Sequence, residues 1–534
     1  MASQQKTDIS TEEFSWRSFA CGIWMLIVVP PSICMYLMLS NFSLWSPLAM
    51  FSGTLSTIFS LKALVICMLL QVTSLISITA HKRLIHVHSQ IRKSSLLMHI
   101  LRPNQLLTII YFNLCTILFT LVLSCIQDSI DSAYWSRSFM VSLSLFIGSF
   151  YGINYFTDER YKVKFPTIQQ KKLFQIKKII LPSLKESLAM SMNALKIFIP
   201  LHIASNVLPK SLLLLFTDFS YSGSLLANSI LLFCDVSMIW SCLLTSTLVL
   251  FVLIFSNNLL HVFYSQHLQL PLDAMLLENQ GKTLSDCMVH PNIILKHLAF
   301  MDFCFISKLE GSRRSKMFEL SLPGNQPHLW NKSSLQCLQE FEKQRMSIQN
   351  ECEHKEMGKR QQQQQLPAPK NLASQELFSP VKNATTSVSS PDFNSKIQTN
   401  IVNSQQNIQR GRLFENLQII IWAIEGLCNL VACSLTEDTY GVVQKTVPSI
   451  VSELLSLLES CETFTKLTVT QQAISNDTKS MELSQKEMVD ATSLKIALKS
   501  GLYTITSTFK HHTTALRLSG EHKKRLLAFL EYDE

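Results

Sequence analysis

Charged residues are scarce. They make up 16% of the 534 residues, against about 25% in soluble domains, and this deficit excludes an ordinary soluble globular enzyme. Paired cysteine motifs are absent too. The 14 cysteines include no C-x-x-C, which argues against a zinc site or a secreted disulfide scaffold and for buried thiols in a reducing compartment. Gly-rich phosphate loops, G-x-S-x-G and H-E-x-x-H are missing, so no cofactor or metal is expected and no enzymatic activity is assigned. A cleavable signal peptide is not expected either: residues 1–16 are polar, and the apolar run that follows is long enough to span and to act as a retained anchor. Residues 1–256 hold 19 Lys and Arg against 10 Asp and Glu, whereas residues 257–534 hold 28 of each. The whole +9 charge therefore sits in the apolar half, and no direct nucleic-acid partner is expected.

What is present is apolar sequence in long blocks. About 20 apolar residues cross the hydrocarbon core. Such runs occupy residues 19–39, 61–80, 106–126, 139–156 and 236–255, with a less regular fifth region that is either 188–208 or 197–216. The loop after the second run carries Lys82, Arg83, Arg92, Lys93 and Arg102. The loop after the fourth carries Arg160, Lys162, Lys164, Lys171, Lys172, Lys177, Lys178 and Lys185, and the alternate loops hold only Arg137. The positive-inside rule then predicts six spans with both termini in the cytosol. Lys62 and Asp235 lie close to lumenal span ends, where snorkelling to the interface accounts for them better than a transport pathway, whose polar groups sit near the midplane. Gly148 and Gly152 form a small-xxx-small face on the fourth span, a candidate for close helix packing. Both basic loops also carry apolar residues at helical spacing (Leu84, Val87, Ile91; Leu173, Ile176, Ile180, Leu184), as helices at an anionic membrane surface do. A basic loop that merely fixes topology would look the same.

The second half changes character. Residues 257–345 mix apolar and charged residues at helical spacing. Residues 346–411 are low in complexity, with an unbroken Gln run at 361–365, and are expected to be disordered. Residues 412–534 return to helical periodicity, with a turn predicted at Tyr440-Gly441. The predicted fold is all-α: a cytosolic tail at 1–18, a six-helix membrane domain at 19–256, a membrane-proximal helical region at 257–345, a disordered linker and a C-terminal helical domain. That last domain, from Leu413 to Glu534, is expected to fold as one unit. One catalytic look-alike occurs. His297 and Asp302 fit the H-x4-D pattern of glycerolipid acyltransferases, and residues 310–315 (Glu-Gly-Ser-Arg-Arg-Ser) resemble their phosphate-binding motif. Only seven residues separate the two elements, too few for the intervening strand and helix.

Several stretches resemble one family. Residues 312–330 (Ser-Arg-Arg-Ser-Lys-Met-Phe-Glu-Leu-Ser-Leu-Pro-Gly-Asn-Gln-Pro-His-Leu-Trp) are similar to a signature of the nuclear-division-cycle family of six-span pore-membrane nucleoporins. Residues 421–427 (Ile-Trp-Ala-Ile-Glu-Gly-Leu), continuing through 435–438 and 441–444, resemble a second signature. The closing 521–531, the run 148–155 and Phe165-Pro166 agree as well. The resemblance implies a structural membrane anchor of the nuclear pore complex in the nuclear envelope, one that supports pore assembly and insertion. It implies nuclear-envelope lipids and soluble nucleoporins as partners, the latter including the WD-repeat protein Aladin and membrane-binding inner-ring nucleoporins. Phe-Gly dipeptides are absent, so a role in the permeability barrier is not expected. Trp330, Trp422, Glu425 and Leu427 are candidates for partner docking or for the tail core. Ser379 and Ser390, each followed by proline in the linker, are candidate phosphorylation sites. The alternative from another class is a polytopic transporter or channel with a cytosolic regulatory tail.

Overall fold

The structure is a computed structural model. It describes residues 9–40, 47–85, 87, 103–125, 133–166, 170–214, 236–272, 281–320, 326–364, 413–472, 478–510, 512 and 516–531. These form fifteen helices and, among the described residues, no β-strand. The chain divides into two compact units, Met1–Gln266 and His267–Glu534.

The first unit contains α1 (Ile9–Ser40), α2 (Pro47–Ile58), α3 (Leu61–Lys82), α4 (Pro103–Ser124), α5 (Ala133–Thr157), α6 (Lys172–Leu214) and α7 (Val236–Tyr264). Helix α7 is the hub, packing against α1, α3, α4, α5 and α6. Its residues 248–255 are buried without interruption, which suits a helix that is apolar around its whole circumference. The surrounding helices are built the other way. Leu64, Val65, Met68 and Val72 on α3, and Leu107, Ile110 and Leu114 on α4, face outward. Small polar residues face inward: Ser74, Ser77, Thr116, Thr120, Ser144, Ser183, Ser187, Ser191, Ser246 and Ser256 are all buried. Most of these hydroxyls donate to carbonyls three or four residues back on their own helix, as Ser74 does to Gln71 (2.7 Å) and Thr120 to Thr116 (2.8 Å). Apolar outside and small-polar inside is the arrangement expected in lipid, where outward apolar surface costs nothing and small inward residues let backbones approach.

Among the described residues, five helical stretches are long and apolar enough to cross a membrane: Glu12–Ser40, Leu61–Lys82, Pro103–Ser124, Ile239–Tyr264 and Leu417–Glu437. The first four coincide with expected spans. The fourth and fifth expected spans lie on α5 and α6, which do not meet that criterion within the described residues. Helix α1 starts ten residues before the apolar run at 19–39, because its polar first turns are held by tertiary contacts. Phe14 stacks on Tyr264 with ring centroids 5.0 Å apart, and the buried Arg17 guanidinium donates to the carbonyls of Phe263 (2.8 Å) and Gln266 (2.8 Å). The stretch 1–18, expected as a tail, is thus partly an extension of α1. Helix α2, in a stretch expected as a loop, has 12 residues, about 18 Å, too short to span.

The second unit contains α8 (Leu284–Met288), α9 (Ile293–Leu309), α10 (Gly311–Met317), α11 (His328–Gln364), α12 (Leu417–Glu437), α13 (Val447–Gln472), α14 (Thr478–Phe509) and α15 (Gly520–Leu530). Helix α12 packs against α9, α11 and α14, and α13 packs against α11 and α14. Ile419, Ile420, Ala423, Ile424, Leu427, Leu430 and Val431 of α12 are all at most 1% exposed. This helix, apolar enough to span a bilayer, is the centre of a helical core instead. The two helical stretches of the second half, read from sequence as separate regions, interleave in one unit: the apolar face of α12 is covered mainly by α9 and α14, with α11 beside them. A Cβ at Gly426 would lie 2.6 Å from the Phe303 ring, and one at Gly501 would lie 2.6 Å from Cys428 Sγ. At these glycines α12 comes close enough to α9 and α14 that a Cβ would collide. Gly441 has φ +65°, a left-handed turn residue at the predicted Tyr440-Gly441 turn.

Candidate functional site

No catalytic constellation assembles around the acyltransferase look-alike. His297 is buried and donates from Nδ1 to the Ile293 carbonyl (2.7 Å). Asp302, fully buried, accepts instead from His267 Nε2 (2.7 Å), Arg313 (2.9 and 3.0 Å) and the Leu270 backbone N–H (3.0 Å). Burial pushes the Asp302 carboxyl up, but those hydrogen bonds and the Arg313 charge outweigh it and hold the group below its ordinary value. The arginines of the phosphate-motif look-alike are engaged with carboxylates of the same unit. Arg313 also meets Glu310 (2.6 Å), and Arg314 makes a two-toothed pair with Glu437 (2.6 and 2.8 Å). Among the described residues, no group of three or more His, Cys, Asp or Glu is placed to hold a metal ion. The cysteines among them are free thiols, and burial pushes Cys304, Cys428 and Cys461 up to about 12, well away from reactive thiolates.

The site the structure does build is a junction inside the second unit. Trp330, at the start of α11, is fully buried against Phe318, and its indole N–H donates to Thr446 Oγ1 (3.0 Å) just before α13. Glu425 on α12 accepts from Lys308 Nζ (2.7 Å) and from Cys304 Sγ (3.4 Å), both on α9. Arg314 of α10 reaches Glu437 at the end of α12, and Arg345 of α11 reaches Glu453 of α13 (2.8 Å). Asp438 then organises the turn, accepting from the Tyr440 (3.2 Å) and Val443 (2.9 Å) backbone N–H groups. At the C-terminus, Arg525 of α15 pairs with Glu462 of α13 (2.7 Å). Trp422 is 8% exposed, edge-on to His297, and Leu427 is fully buried. Of the four docking-or-core candidates, three lie inside the unit and Glu425 lies at its rim. The residues 312–320, 326–330, 421–427, 435–438 and 441–444 thus converge on one junction that ties the helices before the linker to those after it.

In the first unit, the α5 face at Gly148 and Gly152 lies on α4. A Cβ at Gly148 would collide with Asn113 and Thr116, and one at Gly152 would sit 2.9 Å from Ile109. Asn113 bridges the same helices through Ser149 (3.0 Å). Sequence reading missed His81, which is fully buried where α3, α5 and α7 meet. It donates from Nδ1 to the Ser77 carbonyl (2.7 Å), and its Nε2 accepts from the Tyr151 hydroxyl (2.9 Å). A lone histidine one residue before Lys82 and Arg83 in an apolar run was the available signal. Lys62 is exposed at the start of α3. Asp235, Ser379 and Ser390 lie outside the described residues.

Against known proteins, the model of the family described as "Nucleoporin protein Ndc1-Nup" matches residues 14–411 and 405–527. The chain belongs to the Ndc1-Nup nucleoporin family. It is 25% identical to Nucleoporin NDC1 of Mus musculus, over 99% of this chain and 98% of the mouse protein. It is 24% identical to Nucleoporin NDC1 of Homo sapiens over the same shares, and 23% identical to that of Danio rerio over 97% of this chain and 98% of the fish protein. The match runs through both units, so the junction described above is contained in the Ndc1-Nup region.

Proposed function

We propose that this chain is a structural membrane anchor of the nuclear pore complex, which holds soluble nucleoporins at the pore membrane and supports pore assembly and insertion. The observation that carries this reading is the family match over nearly the whole chain, joined to a first unit with apolar residues outside and small polar residues inside. A six-span topology with both termini on the cytosolic, pore-facing side follows from thirteen basic residues in two loops against one in the alternate loops. The second unit then supplies the partner-binding surface, and the partners are soluble nucleoporins of the Aladin WD-repeat and membrane-binding inner-ring kinds. Its Arg314–Glu437, Lys308–Glu425 and Trp330–Thr446 contacts support a role as a rigid platform. The linker serines Ser379 and Ser390 are proposed as the regulated positions. A transporter would want polar groups open to a midplane pathway. The inward hydroxyls of the first unit are instead closed on carbonyls and on one another, as Ser191 is on Ser246.

The test images a tagged full-length chain and a chain ending after Gln266, which keeps the first unit whole. Punctate nuclear-rim signal for both, with loss of co-recovered nucleoporins in the shortened chain only, is the expected result. Full recruitment by residues 1–266 alone would refute the assignment of partner binding to the second unit.

A further inference from the structure

Helix α6 carries two distinct stripes. On one, Ile176, Ser183, Ser187, Ser191 and Ala194 are buried, with Asn258 of α7 donating to Ser183 (2.9 Å). On the other, Phe174, Leu181, Leu188 and Met192 are exposed by 59, 58, 44 and 47%, with Lys178 and Lys185 exposed between them and Lys177 alongside. The positions 174, 178, 181, 185, 188 and 192 follow the three-and-four spacing of a single helix face.

The end of α7 sets the level of this stripe. Lys172 Nζ lies 5.8 Å from the centre of the Phe263 ring, and Arg17 of α1 binds the Phe263 carbonyl. Beside Arg17, Trp16 and Phe19 are 65 and 62% exposed. Exposed aromatic residues on two helices therefore meet a lysine cluster at the same end of the bundle, the pattern of a bilayer interface. The neighbouring carboxylates are already engaged: Arg160 pairs with both Asp158 (3.1 Å) and Glu186 (2.6 Å). Among the described residues, no carboxylate lies within 4.0 Å of Lys171, Lys177, Lys178 or Lys185. Among the described residues, the cluster has a charge deficit that no carboxylate fills. Towards the span the stripe continues through the apolar Leu188 and Met192, and the next lysine on α6, Lys196, is exposed one turn further on. An acidic peptide would satisfy the lysines but leave Phe174 and Leu181 and the continuation into the span uncovered. A lipid surface satisfies all three, with ammonium groups on phosphates and apolar side chains in the acyl boundary.

We propose that Lys171 and residues 172–188 of α6, levelled with Trp16 and Phe19 of α1, form a binding surface for the headgroups of anionic phospholipids. This deepens the membrane-anchor reading, on which it rests. Full-length chain in mild detergent is titrated with dioctanoyl phosphatidylserine, dioctanoyl phosphatidylcholine and inorganic phosphate, with binding read by native mass spectrometry. Phosphatidylserine is expected to bind at least about tenfold more tightly than phosphatidylcholine, with a strong salt dependence. Lys177→Gln with Lys178→Gln should weaken phosphatidylserine binding about 25-fold, at about fivefold per lysine. Lys→Arg at both positions should preserve it, which separates charge from folding, and Phe174→Ser should weaken both lipids alike. Equal phosphatidylserine binding by the parent and the double Gln variant would leave the lysines as topology determinants and overturn the proposal. Inorganic phosphate binding as tightly as phosphatidylserine, or polyglutamate binding where phosphatidylserine does not, would overturn it too. Absence of the parent chain from the nuclear rim defeats the anchor role separately, because the titration is made on purified protein.

Discussion

Replacing Trp330 tests whether the junction residues act by holding the second unit together. The indole is fully buried, and its N–H has Thr446 Oγ1 as acceptor at 3.0 Å. Trp330→Ala removes the whole ring from a closed site and should cost about 3–5 kcal/mol. For a unit of this size that corresponds to a fall in unfolding temperature of roughly 6–20 °C, at about 2–4 °C per kcal/mol. Trp330→Phe keeps most of the ring. It leaves Thr446 with its own donation to the Val443 carbonyl (2.8 Å) intact, so the lost hydrogen bond costs only about 0.5–1.5 kcal/mol. Thr446→Val deletes fewer atoms but strands the buried indole N–H, at about 1–3 kcal/mol. The expected order of damage is therefore Ala at 330, then Val at 446, then Phe at 330. Thermal unfolding of the full-length variants in detergent, followed by near-ultraviolet circular dichroism, checks it. Nucleoporin recovery from cells should fall in the same order. If Trp330→Ala unfolds within 2 °C of the parent yet loses its partners, the indole is an interface residue and the core argument is wrong.

Gly148→Leu should force α4 and α5 apart at Asn113 and Thr116 and lower the unfolding temperature of the membrane unit, whereas an unchanged temperature would mean the two helices do not cross there. The Asp302 carboxyl is held below its ordinary value, so its contribution to stability is present above pH about 4 and lost as pH falls further. Asp302→Asn should be destabilised at neutral pH and should flatten acid unfolding below that pH, which an unfolding series from pH 6 to 3 measures. With both termini cytosolic, only the Asn41 sequon faces the lumen; glycan on Asn331, Asn383 or Asn476, read by endoglycosidase mobility shift, would reverse the topology. Each phosphate at Ser379 and Ser390 adds about −1.5 to −2 charge, and Ser→Asp at both is expected to lower nucleoporin recovery; unchanged recovery from mitotic cells counts against linker control.

The sequence by itself determined the features that depend on neighbours along the chain. Apolar length and periodicity decide where helices form, so α3 and α4 begin and end within three residues of the runs read from composition, α5 and α7 contain theirs while extending past 139 and 255, and Gly441 fell at its turn. The basic loops and the motif order were legible for the same reason, as was the family. Pairing was not legible, because it joins residues that the chain keeps far apart. Helix α12 reads as apolar enough for a bilayer, and only the packing of α9, α11 and α14 around it makes it a protein core. The spacing to residues 310–315 already argued against His297 and Asp302 as a catalytic dyad, but only the fold gave Asp302 to His267 and Arg313. The polar start of α1 looked like a tail until Arg17 found the carbonyls at the end of α7, some 246 residues away. A side chain's type restricts what it can bond to, but the partner it meets is decided by which helices lie beside it, and that is a property of the packed structure alone.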